Sequence, residues 1–499
     1  MSTAYGVTAV VLVVLAAVLI GAFGIRLSRT TSDFYVASRS VSPLWNASAI
    51  GGEYLSAASF LGIAGLILAY GADMLWLPVG WTGGYLVLLV LVSAPLRRSG
   101  AYTLPDFAEA RLESMAVRRV ASVLVVLIGW LYLMPQFQSA GLVLRTVTGA
   151  PVWAGGLLVA AVVAVNVISG GMRSITFVQA FQYWLKLTAL AVPVVFLLIA
   201  WRADGSPGLS AHDAATWALP LAGDREYGLY STYSLILATF LGTMGLPHVL
   251  VRFYTNPDGR AARRTTLVVL SLLGAFYLLP AVYGALGRIY TPGLERSDTV
   301  VLTLPGTLVG GVAGDLLTAL VTAGAFAAFL STSSGLTVSV AGVIGQDILK
   351  GGVRSFQTAA VLAVTVPLGL AVSARSLPVA DVVGLAFAVA ASSFCPLLVL
   401  GIWWRRLTSA GAMAGLLTGG GLACGAVLAT IIGGPHTGLA GALLAQPAAW
   451  TVPVSFTVMV VVSLLTPGRI PRGVARTMVR LHTPETLNLD RGDWRPRPS

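Results

Sequence analysis

Long apolar runs separated by short polar loops recur along the whole chain. A helix needs roughly 20 apolar residues to cross the hydrocarbon core of a bilayer. Thirteen runs approach that length, over approximately 5–25, 44–70, 74–96, 120–144, 151–169, 175–200, 229–251, 265–287, 314–346, 357–374, 379–402, 409–432 and 449–466. The pattern predicts an all-α polytopic membrane protein with about 13 spans.

Two of these runs contain helix-breaking residues near their middle. The second run holds Gly51 and Gly52 followed by Glu53, and the seventh run holds the stretch 242–247, which contains two glycines and a proline. Adjacent glycines weaken a helix, and a carboxylate at bilayer depth is costly unless it faces a partner or water. A matched pair of interrupted spans is the best sequence pointer to the substrate site of a secondary transporter.

The spans divide into two sets of five after the first one. Spans two to six and seven to eleven each begin with an interrupted span, and an odd number of spans forces the second set to enter the membrane in the opposite sense. This arrangement predicts an inverted repeat. The predicted segments are 1–43 (first transmembrane helix and cytoplasmic loop), 44–200 (first five-helix repeat), 229–402 (second repeat), 403–466 (two C-terminal transmembrane helices) and 467–499 (basic cytoplasmic tail).

Composition and charge support a membrane protein and give its predicted orientation. Charged residues make up 10% of the chain and hydrophobic residues 56%, whereas soluble domains usually carry about 25% charged residues. The net charge of +12 does not indicate nucleic-acid binding, because 24 of the 31 Lys and Arg lie in one set of loops and in the tail. The positive-inside rule then predicts a multi-pass protein of the cell (plasma or inner) membrane, with the N-terminus outside and the C-terminus in the cytoplasm.

Four consecutive hydroxyl residues, 331–334, interrupt the ninth apolar run. Hydroxyls and freed backbone carbonyls are oxygen ligands that suit a hard cation. Motifs of intramembrane enzymes, such as His-Glu-x-x-His or Gly-x-Ser-x-Gly, do not occur in the sequence, and neither does a cofactor motif. We therefore predict a transporter and not an enzyme.

From about residue 34 to residue 420, the chain resembles the sodium:solute symporter family, most closely its cation:acetate (monocarboxylate) branch. The matching stretches are 52–62, 102–106, 170–172, 245–248 with Arg252, 387–392 and 407–413. The resemblance implies a leucine-transporter-like fold of two inverted five-helix repeats, with one extra N-terminal helix and about two extra C-terminal helices.

The resemblance also implies a sodium ion as the coupling ion. Its implied ligands are the backbone carbonyls of Gly52, Leu55 and Ala328 and the hydroxyls of Ser331 and Thr332. Gly52 and Leu55 are one helical turn apart, as are Ala328 and Ser331, so the spacing is consistent with this set. Lys186 is the one basic residue inside a predicted span, and it receives no assignment.

The candidates for the substrate site surround the two interrupted spans. A short carboxylate could use helix N-termini, a nearby cation, and amide or hydroxyl donors. The candidates are Glu53, Tyr54, Ser56, Ser59, Gln136, Thr243, Gly245 and Ser392. Glu53 has two interpretations, a structurally paired carboxylate or a group that attracts cations or titrates. We interpret His248 as a hydrogen-bonded structural residue and Arg252 as a determinant of topology.

The expected function is sodium-coupled import of acetate or related short monocarboxylates by alternating access. The alternatives are proton coupling, or another small solute such as pyruvate, propionate or an amino acid. The expected partners are the small carboxylate, the sodium ion and the lipid bilayer, with no nucleic acid and no obligate protein partner.

Overall fold

The described part of the chain is built from helices joined by short connections. The computed structural model describes residues 3–25, 41–210, 217, 226–349, 351–373, 379–433, 437–485 and 487. In these ranges every regular element is a helix. The predicted all-α class is therefore confirmed.

Within the described residues there are twenty α-helices, ten in each half of the chain. The first ten are α1 (Thr3–Ile25), α2 (Pro43–Tyr54), α3 (Ile63–Tyr70), α4 (Trp76–Val87), α5 (Ser93–Ser99), α6 (Leu104–Leu112), α7 (Met115–Thr148), α8 (Val152–Ala203), α9 (Gly228–Gly245) and α10 (Pro247–Val251). The second ten are α11 (Gly259–Tyr290), α12 (Val300–Leu308), α13 (Gly311–Asp347), α14 (Val353–Ser373), α15 (Val379–Trp403), α16 (Ser409–Gly415), α17 (Gly421–Gly433), α18 (Gly438–Ala445), α19 (Ala448–Leu465) and α20 (Val474–His482). Short π-helical segments at Ala58–Gly62, Leu88–Val92 and Leu416–Gly420 run directly into α3, α5 and α17.

The helices agree with the predicted spans. Eleven helices are long and apolar enough to cross a membrane, and the pair Pro43–Tyr54 and Ala58–Tyr70 forms one further span with a bend of 70°. Helix α8 has 52 residues and would be about 78 Å long if straight, more than twice the thickness of a bilayer core. Gly171 divides it, because its φ of 55° and ψ of −152° are not helical. Helix α8 thus accounts for the fifth and sixth predicted spans.

The first interrupted span breaks later than its glycines suggest. Helix α2 continues through Gly51 and Gly52 to Tyr54, and helical structure resumes at Ala58. The two glycines instead allow α8 to approach closely. A Cβ atom at Gly52 would overlap the Gln179 carbonyl oxygen, and one at Gly51 would lie 2.8 Å from the Tyr183 ring.

The second interrupted span breaks where the sequence predicts. Helix α9 ends at Gly245, Leu246 is extended with φ −73° and ψ 117°, and Pro247 begins α10. Proline at the first helical position is favourable because its missing N–H needs no partner there. Gly245 has a packing role at this point, since a Cβ atom on it would overlap the Ala390 carbonyl oxygen of α15.

The start of the basic tail forms an amphipathic helix. Helix α20 packs on α5, where Arg98 Nη1 donates to the Leu481 carbonyl at 3.4 Å and Arg480 Nε donates to the Arg98 carbonyl at 3.1 Å. Glu485 forms an ion pair with Arg98 at 3.3 Å. The remainder of the predicted tail, 488–499, lies outside the described residues. The sidedness of the termini and the predicted segment boundaries stay predictions.

Candidate ion and substrate site

The Lys186 amine lies at the break between α2 and α3. Its Nζ atom donates hydrogen bonds to the Gly52 carbonyl, to the Leu55 carbonyl at 2.8 Å and to the Ser331 hydroxyl at 2.8 Å. Lys186 has no exposed surface. An ammonium group has three N–H donors, and these three oxygens accept all of them.

The five predicted sodium ligands lie together around this amine or beside it. Gly52, Leu55 and Ser331 contact it directly. The Ala328 carbonyl accepts a hydrogen bond from the Ser331 hydroxyl at 3.1 Å, and Thr332 Oγ1 donates to the Glu53 carbonyl at 2.6 Å. The structure therefore brings α2 and α13 together at the predicted place, with a side-chain cation among the predicted ligands.

A sodium ion does not fit these oxygens while the amine is there. The Gly52 and Leu55 carbonyls and the Ser331 hydroxyl converge on Nζ, so an ion bound by the same three oxygens would occupy the same point. An ion displaced to one side of that point would still face the ammonium charge, and two unit charges about 4 Å apart repel by about 4 kcal/mol at an effective dielectric constant of about 20.

Glu53 is paired with Arg252, which sequence analysis interpreted only as a topology determinant. Arg252 Nε donates to Glu53 Oε2 at 2.7 Å, and neither side chain is more than 2% exposed. Arg252 Nη1 also donates to Thr176 Oγ1 at 2.8 Å, and Nη2 donates to Gln179 Oε1. The ion pair connects the broken helix of the first repeat to the segment that follows the broken helix of the second.

Three further features describe the surroundings of the Glu53 carboxyl group. Glu53 Oε1 is buried without a hydrogen bond. A Cβ atom at Gly335 would overlap this carboxyl group, so α13 needs glycine there to make room. Gln179 Nε2 donates to the Ser331 carbonyl at 2.6 Å and so connects the ion pair with the Lys186 contacts.

Aromatic rings surround Phe387 next to the first break. Tyr54, Trp81 and Tyr132 lie with ring centroids 6.3, 5.8 and 5.9 Å from the Phe387 ring. Tyr85 packs edge-on against Tyr54 at 4.8 Å. All five rings are at most 2% exposed. We call these five residues the aromatic cluster, and they form a buried, largely apolar environment beside the first break.

Several polar groups at the aromatic cluster have no hydrogen-bond partner. They are Ser56 Oγ, Trp81 Nε1 and Tyr85 OH, together with both ring nitrogens of His248. His248 packs edge-on against Tyr132 at 5.3 Å, so the predicted hydrogen-bonded role of His248 is wrong. Leaving a buried donor unpaired costs about 1–3 kcal/mol, and a carboxylate ligand could accept from such donors.

The other substrate candidates already have partners within the protein. Tyr54 OH and Thr243 Oγ1 share a hydrogen bond of 2.7 Å, and Ser59 Oγ and Tyr277 OH share one of 3.2 Å. Gln136 Oε1 accepts from the Ala57 amide at 3.0 Å and so holds the break itself. The Ser392 hydroxyl is paired as well, with Thr451 Oγ1 at 2.6 Å. Its partner belongs to the C-terminal helix α19, whereas the partners of the other candidates lie at or near the interrupted spans.

A second buried ion network lies at the C-terminal end of α13. Arg118 contacts Asp106 at 2.9 Å, Glu109 at 2.5 Å and Asp347 at 2.6 Å. Asp106 is in α6, outside the candidate spans. Burial raises the pKa of Asp106 from 3.8 to about 6, although the Arg118 guanidinium beside it lowers that pKa.

Sequence reasoning missed Lys186, Arg252 and most of the aromatic cluster as site residues. Lys186 did carry a signal, since a lone lysine inside a span is a functional candidate by default. The aromatic residues carried none, because Trp, Tyr and Phe are common in membrane helices whatever they contact.

Comparison with known proteins gives consistent matches. A model of the sodium:solute symporter family matches residues 34–419. An uncharacterized symporter of Bacillus subtilis, YwcA, is 34% identical over 416 residues, which are 80% of each chain. A monocarboxylic acid transporter of Corynebacterium glutamicum is 32% identical over 439 residues, covering 79% of this chain and 78% of the relative.

Solved structures match the fold at low sequence identity. A Na⁺-coupled sialic acid symporter in a substrate-bound outward-open state has a TM-score of 0.70 at 13% identity, over 92% of this chain and 98% of the other. MHP1, a nucleobase-cation-symport-1 family transporter in a closed conformation with bromovinylhydantoin bound, has a TM-score of 0.58 at 13% identity. The match covers 90% of this chain and 98% of the other. The predicted leucine-transporter-like architecture is thereby confirmed.

Proposed function

Because this chain belongs to the sodium:solute symporter family, we propose that it is a secondary active symporter that imports acetate or a related short monocarboxylate by alternating access. Membership of the family makes it a multi-pass membrane transporter and not an enzyme. The similarity to a monocarboxylic acid transporter supports the substrate class.

The charge at the break is the observation that carries this proposal. Lys186 and Arg252 are two buried cations, and Glu53 is the one carboxylate paired with them among the described contacts. The group therefore has one excess positive charge. A buried charge is costly without a partner, and a monocarboxylate would supply that partner. The unpaired donors Ser56 Oγ, Trp81 Nε1 and Tyr85 OH could receive its oxygens.

The same charge disfavours an amino acid as the substrate. The carboxylate of an amino acid would suit the site, but its ammonium group would lie near Lys186 and Arg252. Like charges about 4 Å apart repel by about 4 kcal/mol at an effective dielectric constant of about 20. Acetate, propionate and pyruvate carry no such group, so the site favours them over amino acids.

Import of an anion requires an accompanying cation. A cell interior that is negative by 100 mV opposes the entry of one negative charge by about 2.3 kcal/mol. The family membership supports sodium as this cation, and the Lys186 contacts with the predicted ligands argue against sodium at that position. The proton is the other candidate.

Uptake of labelled acetate, and separately of labelled propionate and pyruvate, into proteoliposomes tests the proposed function. Inward sodium and proton gradients are imposed separately, and protein-free liposomes are the control. We expect concentrative uptake under at least one gradient, with inhibition by propionate and pyruvate and weak inhibition by glycine. Absence of uptake of all three monocarboxylates under both gradients would contradict the proposal.

A further inference from the structure

We propose that the Lys186 ammonium takes the place of a sodium ion at the break between α2 and α3, so that this transporter neither binds sodium there nor needs it. The inference concerns the coupling ion, and only its uptake measurement rests on the proposed function. The positive charge at the break is then supplied by Lys186 of α8, and it remains with the protein throughout the transport cycle.

The amine satisfies the oxygens that would otherwise bind an ion. The Gly52 and Leu55 carbonyls are freed by the end of α2, and Ser331 comes from α13. Carbonyls at a break inside the membrane need a cation or a donor. Three N–H donors meet three acceptors here, and the contacts with the Leu55 carbonyl and the Ser331 hydroxyl are both 2.8 Å long.

The packing of α8 on α2 brings this lysine to the break. Gln179, Tyr183 and Lys186 follow one another at helical spacing and therefore lie on one face of α8. This face packs on the two glycines of α2, where a Cβ atom at Gly52 would overlap the Gln179 carbonyl. Close approach of the two helices brings the amine to the break.

The part of α13 that accepts from Lys186 is itself held in place by hydrogen bonds. Gln179 Nε2 donates to the Ser331 carbonyl at 2.6 Å, and the Ser331 hydroxyl donates to the Ala328 carbonyl at 3.1 Å. Both contacts fix the part of α13 that accepts from Lys186. The ammonium thus joins α2, α8 and α13 in the manner that a bound ion would join them.

Binding of ²²Na⁺ to the purified full-length protein in nanodiscs tests the inference directly. We expect no saturable binding by the wild type. Lys186→Ala removes the charge and opens the space, so we expect saturable sodium binding by this variant, with an affinity on the order of 1,000-fold above the upper limit set by the wild type, as relief of a like-charge repulsion at short distance requires. Adding Ser331→Ala to this variant should abolish the gained binding.

Lys186→Met is the matched control. Methionine is similar in length to lysine but carries no charge and no N–H donor, so it fills the space without freeing it for an ion. We expect this variant to bind no sodium. Thermal unfolding checks that each variant is folded, and the wild-type measurement decides the question even if Lys186→Ala does not fold.

Acetate uptake under an inward proton gradient provides the second readout. We expect the wild-type rate to be unchanged when choline replaces sodium. Saturable sodium binding by the wild type, or uptake that requires sodium, would overturn the inference, and so would a folded Lys186→Ala protein that binds no sodium. Absence of any monocarboxylate uptake would instead refute the proposed function, and the binding results would still decide the role of Lys186.

Discussion

Arg252 Nε lies 2.7 Å from Glu53 Oε2, and this buried ion pair joins the two interrupted spans of the molecule. Glu53 is the residue before the end of α2, and Arg252 follows directly after α10. Asn46 Nδ2 of α2 adds a hydrogen bond of 3.2 Å to the Arg252 carbonyl. The break in each repeat is therefore positioned by a contact with the other repeat.

Removing either member of this ion pair should be strongly destabilising. Glu53→Gln leaves Arg252 and Lys186 without a carboxylate, and Arg252→Gln leaves Glu53 unpaired. Breaking a buried ion pair from one side typically costs about 3–5 kcal/mol. We expect each variant to lower the melting temperature in detergent and to abolish uptake, with the double variant more stable than either single variant.

Arg354→Gln is the control for this prediction, since Arg354 is an exposed arginine at the start of α14. Exposed substitutions usually change stability by less than about 0.5 kcal/mol. A melting temperature of Glu53→Gln equal to that of Arg354→Gln would show that the Glu53–Arg252 contact contributes little.

Gly335→Ala should disturb the same carboxyl group by steric overlap. The new methyl group would overlap the Glu53 carboxyl group, whose side chain is held by Arg252. Overpacking of this kind costs about 1–3 kcal/mol, and we expect reduced uptake with a lowered melting temperature. Gly274→Ala in α11 is the matched control, because a methyl group there meets no atom within 4 Å. Equal behaviour of the two variants would contradict the account given for Gly335.

Ser56→Ala should separate substrate binding from stability. The Ser56 hydroxyl is buried beside Tyr132 and makes no hydrogen bond of normal geometry, so its loss should not lower the melting temperature. If the hydroxyl receives a carboxylate oxygen, its removal costs about 1.5–3 kcal/mol of binding and raises the KM for acetate by roughly tenfold or more.

Ser392→Ala should behave in the opposite way. It loses the hydrogen bond to Thr451 of α19, and we expect a lower melting temperature with an unchanged KM. A KM for Ser56→Ala equal to that of the wild type, measured in parallel with Ser392→Ala, would remove Ser56 from the substrate site.

Asp106 should make stability depend on pH in a defined direction. Its pKa is raised by burial from 3.8 to about 6, so the folded state holds this proton more tightly than the unfolded state does. The stabilisation of the folded state by protonated Asp106 is fully present below pH 3.8 and is lost as the pH rises through about 6. Asp106→Asn does not titrate, so we expect its melting temperature relative to the wild type to rise across this interval. If the melting temperature of Asp106→Asn relative to the wild type fell as the pH rises, the Arg118 pairing would outweigh the effect of burial on Asp106.

The spans were predictable because their signal is local. A run of about 20 apolar residues is sufficient to identify a helix that crosses a bilayer, and α7, α11 and α13 end within a few residues of their predicted bounds. The unpredicted helix α12 is only nine residues long and lies between two spans, so hydropathy gives it no separate signal.

The exact break and its cation were not predictable, because both depend on contacts between distant segments. Gly51 and Gly52 could equally weaken a helix or allow another backbone to approach, and the second role applies. Lys186 meets Gly52 and Ser331 across separations of 134 and 145 residues. Hydropathy identifies a lysine in a span but contains no information about which oxygens it reaches.

Because the Lys186 amine is covalently part of α8, its local concentration at the break does not vary with the composition of the medium. A diffusible ion dissociates from such a position when the salt concentration is low, whereas an amine attached to the chain cannot dissociate. The contacts of Lys186 with α2 and α13 are therefore present at low and at high salt concentration.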